Sequence, residues 1–137
     1  MGLDNGIILR AKKPRGVEYL AKNHDFYFYG NDDYEIGYWR KCWNIRDMIL
    51  DVFNDKGYDG NGGYIHLTSV EDLVNMAETL KYFLHEENWD KDKSIWDWYI
   101  ILPSVADAIK KLRNLIEDIE YKEISIDDLD IYFYDSY

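Results

Sequence analysis

The sequence contains one cysteine and two prolines and has no long uncharged apolar run. Cys42 alone cannot form an internal disulfide, which is typical of proteins in a reducing cytoplasm. No stretch reaches the roughly 18 uncharged apolar residues that a membrane-spanning helix needs. The first residues also lack the basic, apolar and small-residue order of a signal peptide. We therefore expect a cytoplasmic protein without a membrane segment.

Basic residues are also scarce, which argues against ordinary nucleic-acid binding. The chain carries 16 Lys and Arg against 27 Asp and Glu, a formal net charge of −11. Nucleic-acid affinity depends mainly on basic side chains at phosphates, so direct binding to DNA or RNA is not expected. The same charge suits a partner with a basic surface, including the basic channel of a nucleic-acid enzyme. Solubility alone is the alternative explanation of the charge.

Aromatic residues, in contrast, are abundant. The chain has 13 Tyr, 5 Trp and 5 Phe, and 47% of its residues are hydrophobic. An acidic chain poor in such residues would be disordered, whereas this one has enough apolar mass to fold. We predict a single acidic domain over residues 1–137, with tyrosines or tryptophans contributing to a partner-binding face.

The apolar pattern predicts an α+β domain with a small, mainly antiparallel sheet and about three helices packed on one face. Pro14 and Gly16 are predicted to form a turn. Strands are predicted over residues 3–9, 26–29, 64–67, 96–102 and 131–134. Helices are predicted from near Tyr38 to a stop at Gly57, from a capping box of Thr68 and Glu71 to Leu84, and from Ser104, after Pro103, to Ile119.

Three segments carry a family resemblance: residues 1–4 (MGLD), residues 36–41 (IGYWRK), interpreted as opening a helix, and the final aromatic strand followed by residues 135–137 (DSY). Together they resemble a family of small uncharacterised phage and prophage proteins. The chain departs from that family at Asn5, where the family usually has Met, and in a basic insert near residues 10–24. The resemblance brings no established reaction. It implies a phage-borne gene expressed in a bacterial cytoplasm, where small acidic proteins include inhibitors of host defence such as anti-CRISPR proteins.

The candidate partner-binding surface lies in the C-terminal region, where acids and tyrosines alternate and Lys122 is the one base after residue 116. Carboxylates can imitate backbone phosphates, as in a DNA mimic, and tyrosines add contact area. The alternative is a solvated helix end and edge strand. The candidates are Glu117, Asp118, Glu120, Tyr121, Glu123, Asp127, Asp128, Asp130, Tyr132, Tyr134, Asp135 and Tyr137. A second acidic group is Asp32, Asp33 and Glu35, and a third is Glu86, Glu87, Asp90 and Asp92.

Other motifs favour structural roles. Trp39 and Trp43, one helical turn apart in the predicted helix, are interpreted as core residues. Residues 59–63 resemble the start of a calcium loop, but Val70 occupies the twelfth position counted from Asp59, where such a loop needs Glu. His24, His66 and His85 lack the spacing of a helical metal pair, and Cys42 is expected to be a buried thiol. No metal site, cofactor or catalytic constellation is predicted.

Three functions remain open at this stage. The first is a phage-encoded, non-enzymatic inhibitor that binds a basic surface on a bacterial defence or nucleic-acid-handling protein, with a CRISPR effector as a plausible target. The second is a small-molecule or nucleotide-binding module that sequesters a host-defence signal, using aromatics and the basic cluster from Arg10 to Arg15. The third is an enzyme, which is least favoured because no nucleotide-binding glycine motif, metal cluster or catalytic triad occurs.

Overall fold

The computed structural model describes residues 3–23, 26–30, 33–58, 64–85 and 93–137. Their elements are β1 (Asp4–Ala11), α1 (Pro14–Lys22), β2 (Tyr27–Gly30), β3 (Asp33–Arg40), α2 (Trp43–Val52), β4 (Tyr64–His66), α3 (Val70–Phe83), α4 (Ile95–Glu120) and β5 (Leu129–Ser136). Short 3-10 turns cover Asn54–Lys56 and Ile126–Asp128. The predicted α+β class and mainly antiparallel sheet are confirmed, with four α-helices in the described part of the chain rather than about three.

The five described strands form one sheet in the order β2-β3-β1-β5-β4. Every neighbouring pair is antiparallel, and β1 lies at the centre between β3 and β5. The register between β1 and β3 shifts at Ile7 and Ile8, and this shift marks a β-bulge. The first and last described strands of the chain are therefore neighbours, and this pairing joins the two termini of the fold.

The helices cover one face of this sheet. Ile7 pairs with Phe133 and Leu9 pairs with Ile131, and all four side chains are buried in the same cluster as the inner residues of the helices. Because side chains alternate along a strand, the residues between them point to the opposite face. α4 packs closely on β3, since a Cβ added at Gly37 would lie 2.9 Å from the Cβ of Ala108.

The predicted strand over residues 96–102 is wrong, because this segment forms the first turns of α4. Ser94 accepts a hydrogen bond from the Asp97 N–H, and the Asp97 carboxylate accepts one from the Ser94 N–H, so the helix begins with a capping box nine residues before Pro103. Trp98 and Ile101 face the core, whereas Trp96, Tyr99 and Ile100 are exposed. Pro103 therefore lies inside the helix, and Ser104 is not its cap.

The predicted helix start at Tyr38 is also wrong. Residues 33–40 form β3, because pairing with β1 outweighs their helix-like apolar spacing. Lys41, with a left-handed φ of 57°, ends the strand, and α2 begins at Trp43. Trp39 is fully buried, as expected of a core residue, but Trp43 is 40% exposed, so the two indoles do not share a helical face.

Two further local predictions need correction. Residues 14–22 form α1 rather than a turn, with Pro14 at the first helical position, where its missing N–H is tolerated. The cap of α3 is shifted by one residue from the predicted pair: Ser69 accepts from the Asp72 N–H, and the Asp72 carboxylate accepts from the Thr68 N–H at 2.9 Å.

Candidate functional site

The face of the sheet opposite the helices carries acids and tyrosines side by side. We call it the open face and define it by the residues that share this orientation in the strand register. They are Asp4, Ile8 and Arg10 of β1, Asp33, Glu35, Tyr38 and Arg40 of β3, Tyr64 and His66 of β4, and Asp130, Tyr132 and Tyr134 of β5. The inner faces of α1 to α4 pack on the other side of the sheet.

An aromatic cluster occupies the β4–β5 half of the open face. The Tyr64 and Tyr132 rings meet edge to face with centroids 4.8 Å apart, and the His66 ring lies 5.9 Å from Tyr132. Tyr132 is only 8% exposed and forms the floor of the cluster, whereas Tyr64 is 56% exposed at its rim. Such a rigid, partly exposed tyrosine offers a large contact area at low entropic cost.

Gly6 of the central strand lets Tyr134 lie flat against the sheet. A Cβ at Gly6 would lie 3.2 Å from Cε1 of Tyr134 and 2.4 Å from the Gly37 carbonyl oxygen, so a side chain there cannot be accommodated without movement. On the neighbouring strand, the Tyr38 hydroxyl donates a hydrogen bond to Asp4 at 2.6 Å. These contacts fix the orientation of two more tyrosines on the open face.

Charged groups form a row across the three central strands. Arg10 pairs in register with Asp33 on one side and Asp130 on the other, and its Nε donates to Asp33 at 2.5 Å. Asp130 lies 3.2 Å from Nδ1 of His66. Four carboxylates and two guanidinium groups belong to the open face, so it keeps an excess of negative charge at neutral pH.

Glu35 is the carboxylate with the least compensation on this face. Burial raises its pKa above the ordinary value, and the opposing charge of Lys111 only partly offsets that effect. Glu35 makes no hydrogen bond or ion pair with the side chains of residues 3–23, 26–30, 33–58, 64–85 and 93–137. A half-buried carboxylate of this kind gains most from a cation that a partner supplies.

The Tyr132 hydroxyl keeps its proton. Burial raises the pKa of this phenol, the negative charge of Asp33 raises it further, and Arg10 opposes the shift. Tyr132 is therefore a neutral hydrogen-bond donor at physiological pH, with no tendency to act as a base.

Five of the predicted partner-binding residues meet on the open face: Asp33, Glu35, Asp130, Tyr132 and Tyr134. The others are divided. Glu117, Asp118, Glu120, Tyr121 and Glu123 lie at the end of α4 and in the turn after it, Asp127 and Asp128 lie in the 3-10 turn before β5, and Asp135 and Tyr137 lie near the start of α2. Asp32 and the third acidic group fall outside the described residues.

Asp135 and Asp128 are predicted as partner-binding residues, but both are buried and do not belong to an exposed acidic surface. Asp135 is buried on the helix side of β5, where it accepts hydrogen bonds from Arg46 Nε at 2.6 Å and from the Tyr58 hydroxyl. Asp128 is buried and accepts from the Ser125 N–H at 3.1 Å, which closes the 3-10 turn. Both carboxylates therefore stabilise the fold and cannot meet a partner.

Tyr137 supports the same buried ion pair. The Arg46 guanidinium lies 5.5 Å from the Trp43 ring centroid and 5.1 Å from that of Tyr137, in cation–π geometry. The two rings contact each other edge to face, with their centroids 5.0 Å apart.

The acidic end of α4 is less uniformly charged than its sequence suggests. A groove of about 740 Å³ separates it from α1, and Arg15 and Lys22 on α1 face Asp118 and Glu123 across it. The Tyr19 hydroxyl donates to Asp118 at 2.6 Å. Arg15 and Lys22, which are remote in sequence, therefore reduce the net negative charge of the surface around the end of α4.

The basic cluster proposed for nucleotide binding is dispersed. Arg10 lies on the open face, Lys12 lines a small cavity beside Asp127, and Arg15 lies in the groove of α1. These three side chains therefore lie on different surfaces of the described structure.

The sequence prediction missed Asp4, Tyr38, Tyr64 and His66 as members of the open face. The signal for Tyr64 and His66 in the sequence is alternation, because these two residues flank the buried Ile65 and neighbouring side chains on a strand point to opposite faces. Within the described residues, no helix is long and apolar enough to cross a membrane, and no group of three or more His, Cys, Asp or Glu side chains is arranged to hold a metal ion.

Comparison with known proteins identifies no relative of this chain. No family model, curated protein or solved structure matches this chain. The resemblance to phage and prophage proteins therefore stays a prediction from the sequence.

Proposed function

We propose that this protein is a non-enzymatic, phage-type inhibitor that binds a bacterial defence or nucleic-acid-handling protein, in the manner of an anti-CRISPR protein. The partner contributes a basic surface and the open face receives it. The single observation that carries the proposal is a convergence of two groups that are far apart in sequence. Asp33 and Glu35 meet Asp130, Tyr132 and Tyr134 on a sheet face opposite the four described helices.

Binding follows from the chemistry of that face. A partner Lys or Arg can pair with Glu35, whose carboxylate forms no ion pair with the described side chains and is only partly compensated by the charge of Lys111. On the other half of the open face, the exposed edge of Tyr64 on β4 and the Tyr134 ring on β5 provide apolar contact and cation–π attraction. Opposite charges accelerate encounter, and the desolvated aromatic contacts slow dissociation.

Affinity capture from a bacterial lysate tests the proposal. Immobilised wild-type protein is expected to retain a basic protein at low salt and to release it as salt is raised. The informative variant is Asp130→Lys, because its carboxylate is 33% exposed on the open face and a like charge across an interface costs several kcal/mol. We expect this variant to lose the captured protein.

Glu120→Lys is the matched control, since it makes the same change of charge on an exposed residue at the end of α4. It is expected to retain the partner. If Glu120→Lys abolishes capture and Asp130→Lys does not, the end of α4 is the binding surface and the open-face proposal fails. Capture that ignores salt, or no basic partner at low salt, overturns the electrostatic basis.

A further inference from the structure

A second surface lies where the outer edge of β3 meets the first turns of α4. A cavity of about 570 Å³, here called the edge groove, separates the two elements. It is lined by Tyr38, Trp39, Arg40, Lys41, Lys93, Asp97, Ile100 and Ile101. None of these residues belongs to the acidic region that the sequence singled out.

Exposed apolar side chains on α4 adjoin the edge groove. Ile100 and Trp96 are each 74% exposed, although they are four residues apart on one helical face and could have been directed to the core. Tyr99 is also exposed, and its ring lies 5.9 Å from that of Trp96. Large aromatic and aliphatic side chains exposed next to a cavity are typical of a docking surface for another chain.

The outer edge of β3 offers main-chain hydrogen-bonding groups to the same groove. β2 pairs with β3 only as far as Glu35, and no other described strand pairs with this edge. The Lys41 N–H donates to the Leu3 carbonyl, so Lys41 is bonded to β1 and the preceding Arg40 directs its N–H and C=O outward. An extended segment could therefore align along Arg40 as an added strand.

The charge of the edge groove is opposite to that of the whole protein. Arg40, Lys41 and Lys93 line it, and Asp97, the one acid among its described lining residues, is already bonded to Ser94 in the cap of α4. The Lys93 ammonium donates to the Lys41 carbonyl, which holds the left-handed Lys41 in place. A local excess of bases in a chain of net charge −11 indicates an acidic ligand.

We propose that the edge groove binds an extended acidic segment of a partner protein. In this complex, the segment aligns along Arg40 at the edge of β3, apolar side chains contact Ile100 and Trp96, and carboxylates pair with Arg40, Lys41 and Lys93. This surface shares Tyr38 and Arg40 with the open face, but it lies at the outer edge of β3, two strands away from Asp130 and the aromatic cluster. The protein would therefore hold two partner regions of opposite charge.

A short peptide fits the groove better than a membrane or a second copy does. A net charge of −11 repels an anionic bilayer and another copy of the chain, whereas a short segment experiences mainly the nearby bases. A flat bilayer also cannot fill a concave cavity or bond to the edge of a strand.

The test uses a fluorescein-labelled hexapeptide of alternating isoleucine and glutamate, followed by fluorescence polarisation. We expect binding that weakens with salt, and that is lost both for the lysine analogue of the peptide and for an analogue with N-methylated main-chain amides. Ile100→Asp should weaken binding about tenfold or more, as expected for a lost central contact. Val17→Asp, at a position on α1 that is 61% exposed, is the matched control and should bind normally.

Several results would overturn this proposal. They are no binding of the acidic peptide, equal binding of the lysine or N-methylated analogue, and equal affinity of Ile100→Asp and wild type. The proposal also fails if the peptide does not bind while Ile100→Asp abolishes either sedimentation with phosphatidylserine vesicles or a dimer detected by light scattering. Asp130→Lys should leave peptide binding unchanged, so failure of the open-face site and failure of the edge groove are distinguishable.

Discussion

Replacing Asp135 with alanine should destabilise the fold strongly. The Asp135 side chain is fully buried, and its partner Arg46 is only 12% exposed. The substitution removes the acceptor of the 2.6 Å bond from Arg46 Nε and of the Tyr58 hydroxyl. It leaves a guanidinium enclosed between Trp43 and Tyr137 without its main counter-charge.

The magnitude follows from that geometry. Breaking a buried ion pair by removing one partner costs about 3–5 kcal/mol, because the remaining charge stays desolvated. Arg46 also contacts Asp47 at 3.0 Å, but Asp47 is well exposed, so this second pair offsets little of the loss. We therefore expect Asp135→Ala to lose about 3–4 kcal/mol, a large share of the roughly 5–15 kcal/mol that stabilises a typical domain.

Urea unfolding followed by tryptophan fluorescence measures this change. A double variant, Asp135→Leu with Arg46→Met, is the informative control, because replacing both charges with apolar groups should cost much less than removing one. A loss below about 1 kcal/mol for Asp135→Ala, the range of exposed pairs, would refute the view of Asp135 as a buried structural carboxylate.

Three further predictions concern stability in urea. Burial works to raise the pKa of Asp72, but its bonds with Lys56 and the Thr68 N–H outweigh burial and lower it. Asp72→Asn should therefore lose about 1 kcal/mol at neutral pH, and the loss should shrink as pH falls below about 4; a constant loss would contradict this. Burial raises the pKa of Glu35, so wild-type stability should fall as pH rises through that value. Glu35→Gln should be at least as stable as wild type at neutral pH and equal to it in acid, and a less stable variant at neutral pH would exclude the desolvated carboxylate. Gly6→Ala should lose about 1–3 kcal/mol through overpacking against the Gly37 carbonyl, and an unchanged midpoint would show that the sheet can adjust.

Segments in which apolar residues recur with a regular strand or helix spacing were predictable from the sequence. The alternation of Tyr64, Ile65 and His66 gave β4, and the apolar spacing from Val105 to Ile119 gave the buried face of α4. In both segments the apolar positions are the ones buried in the core, so the local sequence pattern agrees with the tertiary packing.

The run over residues 96–102 could not be assigned correctly because almost every position is apolar. Helical spacing is hidden when Trp96, Tyr99 and Ile100 look like core residues but are exposed. The packing of α4 on α3 and β3 decides which of them face solvent, and that is a tertiary property.

Asp135 illustrates the opposite error: the sequence predicts an exposed carboxylate, whereas the structure buries it. Leu129, Ile131, Phe133 and Asp135 alternate along β5 and share its buried face. The period-2 pattern was present in the sequence, but the Arg46 and Tyr58 partners lie 89 and 77 residues away, so nothing local indicated that the carboxylate was compensated.

The central claim is that the open face is the surface that meets a basic partner, and site-specific photo-crosslinking in a bacterial lysate tests it most directly. A benzophenone amino acid replaces Tyr64, which is 56% exposed on the open face, or Val17, which is 61% exposed on α1. The prediction is a covalent adduct with a basic bacterial protein from position 64 and none from position 17. Adducts from position 17 alone, or from neither position in a lysate where the wild-type protein captures a partner, would contradict it.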